Sequence, residues 1–552
     1  MKKTSLLAVL TVFNLLFYYS MRSFWSGIEG MFGVWWLAYL LFIVIVALAV
    51  SSIILRLTKR ANAVLFWVTF GLSIAITGGL GYMFYLGIGS LPFVLETFAD
   101  ALILVAVIYF IWFLIFAYPK TTLAKRKLVK TPLFLLIFIL LLIQFFDLRF
   151  NYITSAPVVY AVEDEYQIVW TTNARATGVV TVGNKKYYDL YAGSERSETR
   201  VHKVSVPMTA LDAEKSYTIS STAVIYRGPY SGIKGRKVEK TYAFKPVDLS
   251  DGLHYYALSD AHDYAGAAVA AGGYWEEKLD FLLLIGDISS HLESGANLNL
   301  INEIAHKITK GEKPVVFARG NHEVKAERAD ELYRYVGSKN EKFYYTFKLG
   351  GVYGIVLDLG EDHDDDWWEF YDLAHFDSYR AEQTAFLEEL LATGEHADPG
   401  IKYRMLVSHI PVTYVQGDFL KEFKEEWTDL LNQFNLDIAL SGHHHQLMPL
   451  TTDIAPATPL RFHADYHADT TTVRGYRTDA NFDAFVVSRR SDVQDIGVAE
   501  NLFGKKLSGL AVAVDFTAEK QTIRYTNVKR ETVPVVNPFT GARFEELELL
   551  FN

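Results

Sequence analysis

Five apolar stretches crowd the first 150 residues: Leu6–Tyr19, Val34–Leu55, Ala63–Ile88, Phe93–Tyr118 and Leu133–Phe146. A helix that crosses a bilayer needs about 20 such residues. The middle three are long enough and the outer two can be extended, so the pattern predicts a five-helix transmembrane anchor over 1–150. Lys2 and Lys3 would also suit a cleaved leader, but no small-residue cleavage pattern follows Phe17-Tyr18-Tyr19, and retention is expected. The cations fall in alternate loops: Lys2 and Lys3, then Arg56, Lys59 and Arg60, then Lys120, Lys125, Arg126, Lys127 and Lys130. This distribution puts the N-terminus in the cytoplasm and everything after Asp147 outside it. Glu96 and Asp100, one helical turn apart, lie near an interface where carboxylates reach water, so the segment reads as an anchor rather than an ion path.

Charge divides the chain at the same place. Residues 1–150 hold 12 Lys and Arg against 4 Asp and Glu, net +8, while the remainder holds 41 against 59, net −18. An acidic remainder argues against DNA or RNA as a partner, because binding a polyphosphate needs a basic surface. Cysteine is absent, which removes disulfides, thiolate nucleophiles and thiolate ligands together. Any metal must therefore be held by nitrogen and oxygen. With 552 residues, 51% of them apolar, several domains are expected.

After Ser155-Ala156-Pro157 the pattern shifts to short alternating runs, Val158–Val162 and Tyr166–Trp170, with turn signals at Gly183-Asn184 and Gly228-Pro229. This is expected to be a small β-sandwich over 155–247. Leu211 precedes Tyr217 by six positions just before the expected strand Thr218-Ile219-Ser220, which resembles the tyrosine corner of fibronectin type III domains, and Trp170 fits the buried strand tryptophan of such sandwiches. Ala213 stands where that corner often has proline. Modules of this kind precede the catalytic domain in purple acid phosphatases, and 155–247 looks like theirs.

Between 251 and 450, five polar clusters each follow an apolar run that reads as a buried strand. They are Ser259-Asp260-Ala261-His262, Gly286-Asp287, Gly320-Asn321-His322-Glu323, Ser408-His409 and Ser441-Gly442-His443-His444-His445. Helical stretches such as Asn299–Lys310 and Arg380–Leu391 separate them, giving a layered α/β reading. Ligands in such folds bind beyond the carboxyl ends of the strands, so the clusters would converge on one rim. Their carboxylates, imidazoles and amide supply enough donors for two cations.

The order Asp-x-His, Gly-Asp, Gly-Asn-His-Glu, His, Gly-His-x-His resembles the calcineurin-like metallophosphoesterase family over about 200 residues. The resemblance implies that Asp260, His262 and His445 hold one divalent ion, that Asn321, His409 and His443 hold a second, and that Asp287 bridges them. His444 would point away. It implies two ions, with Mn, Zn or Fe all acceptable to such donors, and attack on phosphorus by a metal-bridging hydroxide. His322 would protonate the leaving group or orient a ligand from the outer shell. Purple acid phosphatases have a tyrosine ligand three residues after the bridging aspartate. Here Ser290 stands at that position, so a colourless site is expected.

Three further segments carry weaker signals. The acidic run Glu361–Glu369 reads as a solvated loop, with a calcium site as the rival; Trp367, Trp368, Phe370 and Tyr371 either line the substrate pocket or pack beneath it. Residues 451–500, with His463, His467, Arg474 and Arg477, would form a lid whose cations meet substrate phosphate. Residues 507–516 and 521–529 would close as a hairpin.

The expected architecture is an all-α transmembrane segment (1–150), a fibronectin III-like β-sandwich (155–247) and an α/β metallophosphoesterase domain (251–552), a β-sandwich flanked by helices. The expected function is hydrolysis of a phosphomonoester or phosphodiester outside the cytoplasm, with a phosphate-ester substrate and the bilayer as partners. A transporter or sensor that binds a phosphorylated ligand without turnover is the alternative.

Overall fold

The structure, a computed structural model, describes residues 151–552 except 192, 228–231, 418–419, 462–472, 488–506, 538 and 552, with a few isolated positions before 151. Residues 142–365 and 374–552 make up one compact unit; 366–373 group with 1–141 in a second.

In the first unit the principal strands, in chain order, are β1 (Ile153–Val162), β2 (Glu165–Val182), β3 (Thr199–Pro207), β4 (Ser216–Arg227), β5 (Gly232–Ala243), β6 (Leu253–Leu258), β7 (Phe281–Ile285) and β8 (Pro314–Ala318). Then come β9 (Tyr345–Leu349), β10 (Val352–Leu357), β11 (Tyr403–Ser408), β12 (Ile438–Ser441), β13 (Met448–Leu450), β14 (Ala484–Val486), β15 (Ser508–Asp515), β16 (Lys520–Asn527) and β17 (Leu547–Leu550). A 12-stranded sheet runs β17-β16-β15-β6-β7-β8-β1-β2-β4-β5, with β3 and the short Lys185–Tyr188 also paired to β2. A second, 6-stranded sheet runs β9-β10-β11-β12-β14-β13.

The two sheets bury their facing residues in one core. Tyr255, Leu283, Ile285 and Val316 from the first lie with Phe347, Val356, Met405 and Leu440 from the second. The alternate residues of β6, β7 and β8 face the other way, where Leu258, Leu282, Leu284 and Phe317 pack with Leu298, Ile301 and Ile304 of the helix Gly295–Thr309. That helix starts at Ser294, whose side chain accepts from Asn297 N, and ends in a left-handed Lys310. On the far side of the second sheet, Ile355, Leu357 and Leu406 pack with Leu387 of the helix Phe376–Thr393 and with Trp427 and Leu431 of Lys421–Leu431. Strands covered on both faces are buried at every position, as β7 is, which is why they read as unbroken apolar runs.

The expected architecture needs correction in two places. The described chain is β-rich, and among the described residues no helix is long and apolar enough to cross a membrane. The all-α transmembrane segment and the five spans through a bilayer are therefore not supported. The stretches that prompted them lie almost wholly outside the described residues. An apolar run signals burial without identifying what does the burying.

The strands expected to form a separate fibronectin-like sandwich are instead joined to the α/β sheet. β1 runs parallel to β8, with Val159 opposite Pro314 and Tyr160 opposite Val315. Trp170, Leu211 and Tyr217 share one core with the strands of the α/β sheets. Tyr217 makes no corner back to its own segment; its hydroxyl donates to the carbonyl of Gly311, 2.7 Å away. The expected terminal hairpin forms as β15 and β16, with Ser508 opposite Asn527.

Candidate metal centre

β6, β7 and β8 run parallel, as do β10, β11 and β12, so the turns that follow them share one end of the two-sheet core. Asp260 and His262 follow β6, Asp287 follows β7, and Asn321 and His322 follow β8. His409 follows β11, and His443 and His445 follow β12. Close approach of these turns depends on glycine. Gly286 has φ +70°, and a Cβ there would sit 2.6 Å from both the Gly320 backbone and the His409 ring. A Cβ on Gly442 would meet Ser259 Oγ at 1.8 Å and Asp260 Oδ2 at 2.7 Å. Five of the expected ligands, Asp260, His262, Asp287, His443 and His445, themselves adopt left-handed backbone.

The structure brings all seven together in two groups. In the first, donor atoms of Asp260, His262, Asp287 and His445 lie within 4.8 Å of one another. His445 Nε2 is 3.1 Å from Asp260 Oδ1 and 3.1 Å from His262 Nε2. In the second, Asn321 Oδ1 is 3.2 Å from His409 Nε2 and 3.1 Å from His443 Nδ1. Asp287 Oδ2 belongs to both, 3.7 Å from His262 Nε2 and 3.1 Å from His409 Nε2.

This donor set fits a pair of cations. Asp260 Oδ1 is buried with only the His445 imidazole beside it, at 3.1 Å and poorly aligned for a hydrogen bond, an arrangement costly for a carboxylate unless a positive charge faces it. Burial works against the Asp287 carboxylate, yet the imidazoles of His409, His322 and His262 outweigh it and hold the group well below the usual carboxylate range. Burial, with His322 alongside, keeps His262 far below the usual imidazole value and hence neutral, as a metal ligand must be. Burial also opposes charging of His409, but Asp287 lifts it to about 10, so an ion taken up here would release a proton. His409 Nδ1 faces the carbonyl of Ile285 at 2.7 Å, leaving Nε2 for the site.

His322 sits at the edge of the two donor groups. Its Nδ1 is 2.7 Å from the carbonyl of Ser290, and its Nε2 lies 3.9 Å from Asp287 Oδ2 and is partly exposed. Its backbone N–H donates to Asp287 Oδ1 at 2.9 Å. His444 turns aside, its ring edge-on to Tyr414.

Sequence reasoning left three contributors without a role. Glu323 is buried and accepts four backbone N–H bonds, from Asp287 at 2.7 Å, Ile288 at 2.7 Å, Ser289 at 3.1 Å and Gly320 at 2.9 Å. It latches the turn carrying Asp287 to the turn carrying Asn321. Its place directly after Asn321-His322 was the available signal. Glu361 and Asp362, read as part of a solvated acidic run, reach the site. Glu361 is fully buried and receives Asn321 Nδ2, and Asp362 Oδ2 is 2.9 Å from His443 Nε2. The remaining aromatics of that run, 367–371, fall in the second unit.

The expected lid needs correction where it is described. Arg477 does not face substrate; it is buried, and its guanidinium donates to the carbonyls of Leu450, Thr478, Ala480 and Phe482. His463 and His467 lie outside the described residues, as does the side chain of Arg474.

Residues 253–447 match the family model for calcineurin-like phosphoesterases. That segment holds all seven donors, and the protein is a metallophosphoesterase. Among curated proteins none matches the sequence. The solved structures to which the chain shows a distant similarity include two phosphatase-related ones. One is the purple acid phosphatase PPD1 of yellow lupin (Lupinus luteus) seeds, at 12% identity over 71% of this chain and 74% of that one, TM-score 0.41. The other is PhoD, at 12% identity over 72% and 88%, TM-score 0.36. Both are too distant to assign a substrate.

Proposed function

We propose that this protein hydrolyses phosphomonoesters or phosphodiesters at a two-metal centre, with Asp260, His262 and His445 holding one ion and Asn321, His409 and His443 the other. Asp287, shared by both donor groups, is the observation that carries the reading. Two cations about 3.5–4 Å apart repel, and a shared carboxylate offsets that repulsion. When bound, Mn, Zn or Fe ions supply a water acidified from 15.7 towards about 7 and positive charge for the phosphoryl oxygens.

The chain's own groups do the rest. Glu323 and the glycine turns hold Asp287 in place. His322, with Nδ1 anchored on Ser290, presents Nε2 to the leaving oxygen and gives it a proton, a contribution of about 10²–10⁴-fold. A location outside the cytoplasm is part of the proposal and is tested by protease access to the domain in intact cells.

The test is a panel of nitrophenyl phosphate, bis-nitrophenyl phosphate and phospholipid, assayed after chelation and after adding back Mn, Zn or Fe. Restored hydrolysis with at least one metal is expected, and Asp287→Asn should abolish it while lowering metal content. Absence of hydrolysis with every metal and substrate would favour a ligand-binding role instead.

A further inference from the structure

The acidic run at 361–363 touches two of the proposed ligands of the second ion. Asn321 Nδ2 lies 3.2 Å from each carboxylate oxygen of Glu361. The amide therefore gives its protons to Glu361 and turns Oδ1 toward His409 Nε2 and His443 Nδ1. The reverse orientation would set Oδ1 against a carboxylate and N–H groups against the donor atoms. Lys325 Nζ, 2.9 Å from Glu361 Oε2, and the Asp362 backbone N–H, 2.9 Å from Oε1, hold this buried acid in place. Asp362 acts on the neighbouring ligand. Its Oδ2 lies 2.9 Å from His443 Nε2, which places the ring proton there and leaves the lone pair of Nδ1 pointing at Asn321 Oδ1.

We propose that Glu361 and Asp362 are positioning residues for the second metal ion, Glu361 setting the amide orientation of Asn321 and Asp362 the tautomer of His443. Neither contacts the first donor group, so their effect is confined to one ion of the pair. The inference rests on the two-metal reading above, and its test separates the two.

Chelated protein is titrated with Mn²⁺, counting ions per chain by elemental analysis and following the electron paramagnetic resonance signal, which differs between isolated and exchange-coupled Mn²⁺. Wild type should take two ions, with coupling. Asp362→Ala, at a half-exposed side chain that folding tolerates, should take the first ion with unchanged affinity and the second about 10–100-fold more weakly, losing the coupled signal. Glu361→Gln should act in the same direction. Asp362→Asn, which keeps an acceptor for His443, should recover part of the loss.

Wild type that binds one ion only would overturn the two-metal reading itself. Wild type with two coupled ions and an Asp362→Ala variant indistinguishable from it would overturn the positioning role alone. A third ion in wild type, lost in Asp362→Ala while the coupled pair persists, would also overturn it, because Glu361, Asp362 and His363 would then be a cation site of their own.

Discussion

Glu323→Gln is the sharpest perturbation of the latch beneath the metal centre, since it keeps shape and removes only charge and half of the acceptor capacity. Whichever end of the new amide carries the NH₂, two of the four backbone donors now face a donor. They are either the N–H groups of Asp287 and Gly320 or those of Ile288 and Ser289. A buried donor left unsatisfied costs about 1–3 kcal/mol, so the pair costs roughly 2–6 kcal/mol. Part is returned, because burial and the Asp287 charge push Glu323 up to about 7 and the neutral amide escapes both. A net loss of about 2–4 kcal/mol is expected on this basis, with a larger one for Glu323→Ala, which abandons all four donors. The assay is urea unfolding in excess chelator, so that metal binding does not contribute to the difference. Glu323→Gln matching wild type in unfolding midpoint, and in hydrolysis after metal is restored, would refute the latch.

Three further outcomes follow from the same geometry. His322→Ala should slow esters with poor leaving groups far more than nitrophenyl esters; equal losses on both would assign His322 to phosphate positioning instead. Tyr217→Phe should destabilise the protein by about 1–2 kcal/mol by stranding the Gly311 carbonyl, and no change in unfolding free energy would mean that this bond does not help tie the N-terminal strands to the α/β core. Burial lowers Lys203 to about 7 while its ammonium donates to Tyr333 O, Val336 O and Ser338 Oγ. The folded state therefore binds fewer protons than the unfolded state between pH 7 and the ordinary lysine value. Its stability contribution is fully present above that value and is lost as pH falls toward 7. Wild type should gain on Lys203→Met as pH rises through this window, and a pH-independent difference between the two would contradict the assignment.

The strands that carry the site are legible because they are buried on both faces. Phe281–Ile285 shows no alternation, and the polar residues that follow it stand out against the run. Edge partners are not legible in the same way. The residues of β1 report that the strand is buried but not which neighbour it hydrogen-bonds, so its parallel pairing with β8 is a tertiary fact. Tyr217 shows the same gap at the level of one side chain, since its spacing from Leu211 allows a local corner while its hydroxyl reaches Gly311, 94 residues away. Glu361 and Asp362 were obscured by their company. In an acidic run every carboxylate looks solvated until Lys325, Asn321 and His443 arrive from elsewhere in the chain. Arg477 errs the other way, a cation that looks available to phosphate but is consumed by backbone carbonyls.

The left-handed backbone at Asp260, His262, Asp287, His443 and His445 restricts how this centre can drift over time. Aspartate, asparagine and histidine are the side-chain-bearing residues that occupy that region most readily, and they are also good oxygen and nitrogen donors to a divalent ion. Glutamate at position 260 would keep the carboxylate but sit less comfortably on the turn, and a β-branched residue would fit neither demand. Local conformation and coordination chemistry thus filter the same positions twice, which leaves the centre a short alphabet in which to vary and makes wholesale loss easier to reach than gradual retuning.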